Sequence, residues 1–387
     1  MAHALLSPSS ASRWLTCAPS PRLEAQFPDR AGEAAAEGSL AHRLAELQLM
    51  RALGRVSKKD YDKAIKTEIK SSPLHNAPMD EYVADYVAGI LELYAAAQNE
   101  CPDAVIVLER QFDLTHWVPD GFGTSDVTII SEPVLAVHDL KYGKGVEVSA
   151  EDNAQMKLYA LGAYHEFGLA YDIETITMTI HQPRLGNLST WSISVNDLLA
   201  WAEAELRPKA LQAYEGAGEF APGKACRFCK AAAMCKAQAD YQLAIARHDF
   251  KAAELLSDDE VVEVLGRLDG LTAWAKAVGD YALREAVQNK RQWPGYKVVE
   301  GRSVRAISDE ARAIEALRKA GYDDAHIYAA PKLNGIGAFE KLLGKKPFGE
   351  LLGPFVTKPP GKPALVPESD KRPPFEAASV ADFDDIE

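Results

Sequence analysis

The chain has 387 residues, 47% hydrophobic and 26% charged, so it is long enough to bury a large core, and it carries a net charge of -13 at pH 7. We expect no membrane span and no secretory leader, because no run of about 18 apolar residues and no basic region before a long apolar core occurs. The acidic balance weakens the case for a nucleic-acid partner but does not exclude one, since an acidic tail can coexist with a basic groove. The composition therefore predicts a cytoplasmic protein with one large domain and a smaller one.

The first hundred residues are predicted to be helical. Strong helices are expected at residues 32–52 and 79–98, with a basic stretch at 58–70 between them. Steps of three and four residues along the first helix define one face, formed by Ala35, Gly38, His42, Ala45 and Leu49. The small residues permit close packing, and His42 projects toward whatever the helix covers. A core histidine with satisfied hydrogen bonds is the ordinary alternative for His42 taken alone.

The sequence period then changes to that of strands. Short β-branched segments separated by turn residues predict consecutive antiparallel strands at residues 105–113, 124–131 and 134–142. Ser149 and Asp152 form a capping-box-like pattern that predicts a helix running to Phe167. A strand at 174–183 and a helix at 196–214 follow. The order of helix, three strands, helix and strand predicts a mixed α/β fold.

The last third of the chain is predicted to be mainly helical. Ser257 and Glu260 cap a long helix that reaches about residue 290. Weaker elements follow, namely a strand pair at 296–307 and helices at 309–320 and 337–343. Beyond Gly353 the composition is rich in proline and charge, which predicts a disordered or surface-bound acidic tail. The predicted divisions of the chain are therefore residues 1–245, 246–352 and 353–387.

Cysteines provide the most specific local signal. Cys226, Cys229 and Cys235 crowd into KACRFCKAAAMCKA, Cys17 lies far upstream, and Cys101 stands alone before a proline. The count suggests four ligands and one spare thiol, and four cysteinates suit either an iron-sulfur cluster or Zn²⁺. A cytosolic chain keeps its thiols reduced, which favours metal binding over disulfides. Separately buried cysteines are the alternative, and the lysines and arginines between these thiols disfavour it.

Carboxylates and a lysine form a second constellation on the predicted strands. Strand alternation places Asp139 and Lys141 on one face, and Asp126 on the preceding strand lies within reach. Two carboxylates beside a lysine can hold Mg²⁺ or Mn²⁺ and position a water for attack on phosphorus. Gln155 and Tyr159 lie one turn apart on the following helix, near the same place. A solvated charged pair, and hydrogen bonding at the core edge, are the ordinary alternatives for each signal alone.

The order of these motifs resembles the PD-(D/E)XK nuclease superfamily, and within it the RecB-like exonucleases that carry an iron-sulfur cluster. The matching motifs are Gly38 to His42, Gly123 to Asp126, Asp139 to Lys141, Gln155 to Tyr159, and Cys17 with Cys226, Cys229 and Cys235. The resemblance covers about residues 1–240 and implies a central mixed sheet flanked by helices, an iron-sulfur clamp and a mainly helical C-terminal extension. The whole chain also resembles a phage-borne family catalogued as a domain of unknown function.

The resemblance assigns roles to individual residues. It implies a catalytic Mg²⁺ or Mn²⁺ bound by His42, Asp126, Asp139 and the Leu140 carbonyl. Lys141 would assist the attacking water, while Gln155 and Tyr159 would touch the DNA strand or brace the site. Glu109 would support the metal ligands from behind or bind a second metal, and an ordinary surface glutamate is the alternative. The sequence departs from the family in having Asp139 where relatives often have glutamate, a shorter arm that the superfamily tolerates.

The resemblance implies a metal-dependent DNA exonuclease that works in phage DNA replication or recombination, in the cytoplasm of the bacterial host. The cysteines would hold a [4Fe-4S] cluster, with Zn²⁺ as the alternative, and would clamp the N-terminal segment to the end of the domain. Expected partners are single-stranded or duplex DNA ends and a phage single-strand binding or annealing protein. The alternative function is a catalytically silent DNA-binding scaffold of the same replication or recombination complex.

Overall fold

The structure is a computed structural model that describes residues 4–28, 32–244 and 257–299, together with Lys319 and Pro347. The chain divides into two compact units, Met1–Val298 and Val299–Glu387, and every element described below belongs to the first. The predicted helices at 309–320 and 337–343 and the tail after residue 353 lie outside the described residues, as does the predicted division at 245. Of the predicted strand pair at 296–307, residues 296–299 are described, and they form no strand.

The described elements include the predicted order of helix, three strands, helix and strand, together with elements that the sequence analysis did not predict. The helices are α1 (Ala11–Thr16), α2 (Ser20–Glu24), α3 (Glu33–Ala52), α4 (Lys58–Ala64), α5 (Ala77–Glu100), α6 (Ala154–Phe167), α7 (Val195–Trp201), α8 (Arg207–Glu215), α9 (Lys236–Leu243) and α10 (Asp258–Gln288). The strands are β1 (Val105–Asp113), β2 (Phe122–Ser131), β3 (Val134–Leu140), β4 (Thr175–Gln182) and β5 (Asn187–Ser194). Short 3₁₀ turns lie at Pro8–Ser10, Pro183–Leu185 and Lys224–Phe228, and π-helical turns at Ile65–Ile69 and Ala202–Leu206.

In the described part of the chain, the five strands form one mixed sheet in the order β1-β2-β3-β4-β5. All neighbours are antiparallel except β3 and β4, which run parallel and are connected through α6. The predicted mixed α/β class is therefore confirmed. The sequence analysis missed β5, an edge strand whose residues alternate between half-buried and exposed. Because no position of β5 is fully buried, its composition resembles that of a polar loop.

Helices cover both faces of the sheet. One apolar cluster joins α6, α1 and the α7–α8 region to Leu135 and Val137 of β3. A second cluster joins α3 and α5 to Leu140 of β3 and Ile106 of β1. Strand alternation sends successive side chains of β3 to opposite faces, so this strand contributes to both clusters. The sheet is thus the middle layer of three, and the end of β3 lies between the two helical layers.

Two details of the helices correct the sequence analysis. The N-cap of α6 is Asn153, whose side chain accepts hydrogen bonds from the backbone N–H groups of Gln155 and Met156; the predicted Ser149 caps nothing there and accepts from Glu151 N instead. The predicted single helix at 196–214 is α7 and α8 joined by the π-helical turn. That turn lies just before Pro208, whose missing N–H disrupts the regular hydrogen-bond ladder. Among the described helices, none is long and apolar enough to cross a membrane.

Candidate functional site

The candidate site begins where α3 covers β2. The His42 Nδ1 atom lies 3.1 Å from Asp126 Oδ1. The other carboxylate oxygen of Asp126 accepts a hydrogen bond of 2.7 Å from the backbone N–H of Leu140. Asp126 therefore connects a helix of one layer to the end of the central strand. Leu140 contributes its N–H to this arrangement, and its predicted role as a carbonyl ligand stays a prediction.

Glu109 joins these two residues from β1. The register pairs Leu108 with Val127 and Arg110 with Ser125, so Glu109 stands opposite Asp126. Glu109 has a φ of 45°, a left-handed conformation that is strained for a residue other than glycine and interrupts the strand ladder. Ligand atoms of His42, Glu109 and Asp126 all lie within 4.8 Å of one another. The predicted ligand Asp139 does not belong to this group of three.

The charges in this group depend on one another. Burial alone would lower the pKa of His42, but the Asp126 carboxylate outweighs it and raises that pKa to about 9. Burial, reinforced by the charge of Asp126, raises the pKa of Glu109 to about 8. Burial opposes ionisation of Asp126, but His42 and the Leu140 N–H hold the pKa of Asp126 below its ordinary value. Such displaced pKa values in one cleft are typical of functional sites.

A second hydrogen-bonded group adjoins the first. Lys141 Nζ donates to Gln155 Oε1 at 2.9 Å and to Asp139 Oδ1 at 3.2 Å. Gln155 Nε2 donates to Asp139 Oδ1 at 3.2 Å and to the Tyr159 hydroxyl at 3.0 Å. The structure thus brings together the four predicted residues Asp139, Lys141, Gln155 and Tyr159. Their individual chemical roles stay predictions.

Asp139 has a buried oxygen whose contact among the described residues is an ion pair with Lys141. Its Oδ2 lies 2.9 Å from Lys141 Nζ as an ion pair, yet within the described part of the chain no aligned hydrogen bond reaches this buried atom. Burial raises the pKa of Asp139, Asp126 adds to the effect, and Lys141 opposes it. A buried carboxylate oxygen without a hydrogen bond is costly. Carboxylate oxygens are the donors that Mg²⁺ and Mn²⁺ prefer, so Asp139 is a candidate ligand beside the group of three.

Gly123 explains how the N-terminal segment reaches the site. A Cβ atom on Gly123 would lie 2.4 Å from Pro8 Cγ and 3.0 Å from Tyr159 Cε1. Only glycine permits this approach, so the 3₁₀ turn before α1 packs directly on β2, three residues from Asp126. The glycine of the predicted Gly123 to Asp126 motif is therefore a packing requirement.

The sequence analysis missed two parts of the site's surroundings. Tyr86 of α5 lines the same cavity as His42, Glu109 and Asp126, and its ring meets His181 edge-on with centroids 5.1 Å apart. His181 Nε2 lies 3.2 Å from His138 Nδ1. Burial lowers the pKa of His138 to about 3 and that of His181 to about 4. Nothing in the local sequence distinguishes these side chains from ordinary core residues.

The four predicted ligand cysteines line one cavity. Cys17, Cys226, Cys229 and Cys235 surround it together with Ser20 and Gln238, and all are free thiols. Among the described residues, no three of their sulfur atoms lie within 4.8 Å of one another. Burial, with the charge of Glu24, raises the pKa of Cys229 to about 12. The metal at these cysteines stays a prediction. Cys101 lies apart, at the C-terminal end of α5.

Glu24 connects the two cysteine-bearing segments. Arg13 Nε lies 2.8 Å from Glu24 Oε2, and Glu24 Oε1 accepts a hydrogen bond of 2.8 Å from the backbone N–H of Lys230. Arg22 Nε also donates to the carbonyl of Tyr214 at 2.6 Å. The N-terminal segment therefore contacts the cysteine-rich segment through the protein's own groups.

Comparisons with known proteins identify a family and include a similar solved structure. A family model described as "Protein of unknown function (DUF2800)" matches residues 3–373. A solved structure named "Crystal structure of SSO0001" is 13% identical, over 57% of this chain and 95% of that one, with a TM-score of 0.23. A similarity of that size supports no structural or functional inference.

Proposed function

Because the chain belongs to the DUF2800 family, whose description gives no activity, we propose its function from the site: a metal-dependent DNA exonuclease of the RecB-like PD-(D/E)XK type. The observation that carries the proposal is the convergence of His42, Glu109 and Asp126, with ligand atoms within 4.8 Å of one another. The lysine held by Asp139 and Gln155 lies beside them. We place the activity in phage DNA replication or recombination in the bacterial cytoplasm, as the motif resemblance implies.

The proposed reaction is hydrolysis of a phosphodiester. A water oxygen attacks phosphorus, the bond from phosphorus to the 3′-oxygen breaks, and the products are a 5′-phosphate and a 3′-hydroxyl. When bound, Mg²⁺ or Mn²⁺ supplies Lewis acidity to the phosphoryl oxygen and a more acidic water. Lys141 donates to a phosphate oxygen or orients the water, and Gln155 holds the lysine in position by accepting its hydrogen bond. Tyr159 fixes the amide of Gln155 through a 3.0 Å hydrogen bond.

The ligand set proposed for the divalent cation is broader than the sequence motif. His42, Asp126 and Glu109 are supported by their mutual distances. Asp139 is supported by its buried Oδ2 atom, which has no hydrogen bond among the described residues. The Leu140 carbonyl completes the set on the strength of the motif alone. The strained backbone of Glu109 supports its inclusion, because strain of this kind persists where a function requires it.

The four cysteines are proposed to hold a [4Fe-4S] cluster. A tetrahedral Zn²⁺ site needs sulfur atoms about 3.8 Å apart, from Zn–S bonds of about 2.3 Å. The described thiols line one cavity, yet no three of them approach within 4.8 Å. The choice of a cluster over Zn²⁺ follows the motif resemblance, and the proposed role is structural, because ligation would connect Cys17 to residues more than two hundred positions away.

The test is a cleavage assay with end-labelled single- and double-stranded DNA in Mg²⁺ or Mn²⁺. The protein is purified without oxygen so that its visible absorption reports the cluster. We expect a brown protein that degrades DNA with either metal, and Asp139→Asn and Lys141→Met variants that bind DNA without cleaving it. The label on the 5′ or the 3′ end then gives the polarity.

The matched controls are Lys209→Met and Asp85→Asn, which make the same chemical changes at a half-buried position of α8 and an exposed position of α5. Both controls should cleave like the unaltered protein. Cleavage that survives Lys141→Met would remove Lys141 from the mechanism. A folded, metal-loaded protein that binds DNA and never cleaves it would instead favour the scaffold function. A colourless protein that contains one zinc ion would show that Zn²⁺ and not a cluster occupies the cysteines, and it would leave the nuclease proposal unchanged.

A further inference from the structure

Tyr86 is a buried phenol whose hydroxyl has no hydrogen-bond partner in the part of the chain that the structure describes. The residue lies on α5 with 4% of its surface exposed. Among the described residues, none forms a hydrogen bond with its hydroxyl oxygen. A buried hydroxyl without a partner costs roughly 1–3 kcal/mol, so a native fold seldom retains one without a compensating ligand.

The position of Tyr86 indicates where that ligand lies. Its side chain lines the cavity formed by His42, Glu46, Glu109 and Asp126. Of these polar groups, Glu46 accepts a 2.6 Å hydrogen bond from Arg43, and His42 and Asp126 are occupied with each other. Glu109 lines the same cavity, and its carboxylate forms no hydrogen bond with another described residue. The phenol is thus the polar group of α5 that reaches the carboxylate-rich cavity.

The hydroxyl remains a hydrogen-bond donor in this setting. Burial raises the pKa of Tyr86 well above its ordinary value, and the charges of Asp126, Asp139 and Glu109 raise it further. A neutral phenol both donates and accepts one hydrogen bond. Divalent cations of the Mg²⁺ class usually keep several of their waters when bound to proteins, and such waters need partners.

We propose that the Tyr86 hydroxyl holds a water of the divalent cation bound by His42, Glu109 and Asp126, which makes Tyr86 a positioning residue for the proposed hydrolysis. The inference rests on the proposed metal site but not on the identity of the substrate. The residue acts through water, so its loss weakens the placement of that water while leaving the ligands intact. The carboxylates and the imidazole alone would still bind the cation, but less well.

The test compares Tyr86→Phe with Tyr82→Phe, which removes the same hydroxyl one turn away on α5, outside the cavity lining. Thermal unfolding of the full chain is measured without metal and with saturating Mn²⁺, beside Glu109→Gln as a variant of the cation site. Without metal, Tyr86→Phe should be at least as stable as the unaltered protein, because a costly orphan hydroxyl is gone. With Mn²⁺ its stabilisation should be smaller, and turnover on DNA should fall about tenfold with little change in KM. Tyr82→Phe should match the unaltered protein in each assay.

The outcomes separate this inference from the nuclease proposal. Equal Mn²⁺ stabilisation and equal turnover in Tyr86→Phe would overturn the role of Tyr86 while leaving the nuclease in place. A loss of stability in the metal-free variant would also overturn it, because the hydroxyl would then have a partner in the protein. A smaller Mn²⁺ shift in Tyr86→Phe than in the unaltered protein, when the unaltered protein never cleaves DNA, would support the role of Tyr86 and reject the nuclease. An unaltered protein with no Mn²⁺ shift would reject both.

Discussion

The contact between α6 and β1 makes a sharp prediction about stability. A Cβ atom added to Gly162 would lie 2.5 Å from the Cβ of Phe112 and 3.2 Å from Leu114 Cδ2. The first contact is with an atom fixed to the backbone of β1, so it cannot be relieved by rotating a side chain. Carbon atoms normally approach to about 3.5–4.0 Å, so α6 or β1 must shift by roughly 1 Å. Overpacking of this size costs about 3 kcal/mol.

The same substitution also gains helix propensity. Alanine is favoured over glycine inside a helix by about 1 kcal/mol. Gly162→Ala should therefore destabilise the protein by about 2 kcal/mol net, the overpacking cost less the propensity gain. Gly89 of α5 is the matched control, because an added Cβ there meets nothing within 4 Å. Gly89→Ala should stabilise by about 1 kcal/mol, which separates the two variants by about 3 kcal/mol.

Equilibrium urea unfolding followed by far-ultraviolet circular dichroism measures both variants against the unaltered protein. If the dependence of the unfolding free energy on urea concentration is unchanged, the difference in stability arises in the native state and not in the unfolded ensemble. A Gly162→Ala variant as stable as Gly89→Ala would refute the reasoning, because it would show that α6 and β1 are not in the close contact described. Since α6 carries Gln155 and Tyr159, the loss in Gly162→Ala should be accompanied by weaker DNA cleavage.

Three further predictions concern the supports of the two candidate sites. His181 has a pKa of about 4 in the fold against about 6.5 unfolded, so its contribution is complete above pH 6.5 and is lost as the pH falls toward 4. By urea unfolding, the loss of stability from pH 7.5 to pH 5.0 should therefore be about 2 kcal/mol smaller in His181→Gln than in the unaltered protein. Glu24→Ala removes the acceptor of Arg13 and of the Lys230 N–H. It should lower the free energy of unfolding by about 3 kcal/mol and speed chemical labelling of the cysteine thiols. Unchanged labelling would contradict the role of Glu24 in joining the two segments. Asn153→Ala removes the cap of α6 and should cost about 1 kcal/mol by urea unfolding, with Ser149→Ala as the silent control.

The parts of the fold that the sequence predicted were those with strong local patterns. The strands β1 to β3 are β-branched and bounded by turn residues, and their predicted ends match the observed ones except at Phe122, the first residue of β2, and at Leu140, where each prediction differs by two residues. The edge strand β5 was missed because its residues alternate between half-buried and exposed, so the strand lacks the strongly apolar positions that mark a buried strand. The cap of α6 was misplaced because Ser149 and Asp152 have the spacing of a capping box, while the left-handed φ of 51° at Asp152 appears only in three dimensions.

The candidate site divides in the same way. The motif order was sufficient to select His42, Asp126, Asp139, Lys141 and Gln155 for the same region. Glu109 remained undecided, because its position opposite Asp126 depends on strand register and on a strained φ that no local pattern encodes.

The hydrogen bonds of Asp126 determine which substitution can isolate the chemistry. One oxygen of Asp126 meets His42 and the other accepts from the Leu140 N–H, so this carboxylate joins α3 to β3 as well as offering a ligand atom. Replacing Asp126 would loosen the helix and the strand together. A loss of cleavage would therefore not show whether Asp126 binds the metal or only holds α3 against β3. Asp139 contacts the side chains of Lys141 and Gln155 and accepts no hydrogen bond from a backbone group of the described residues. Asp139→Asn keeps the shape and removes the charge, and a loss of cleavage in that variant can therefore be attributed to the reacting groups.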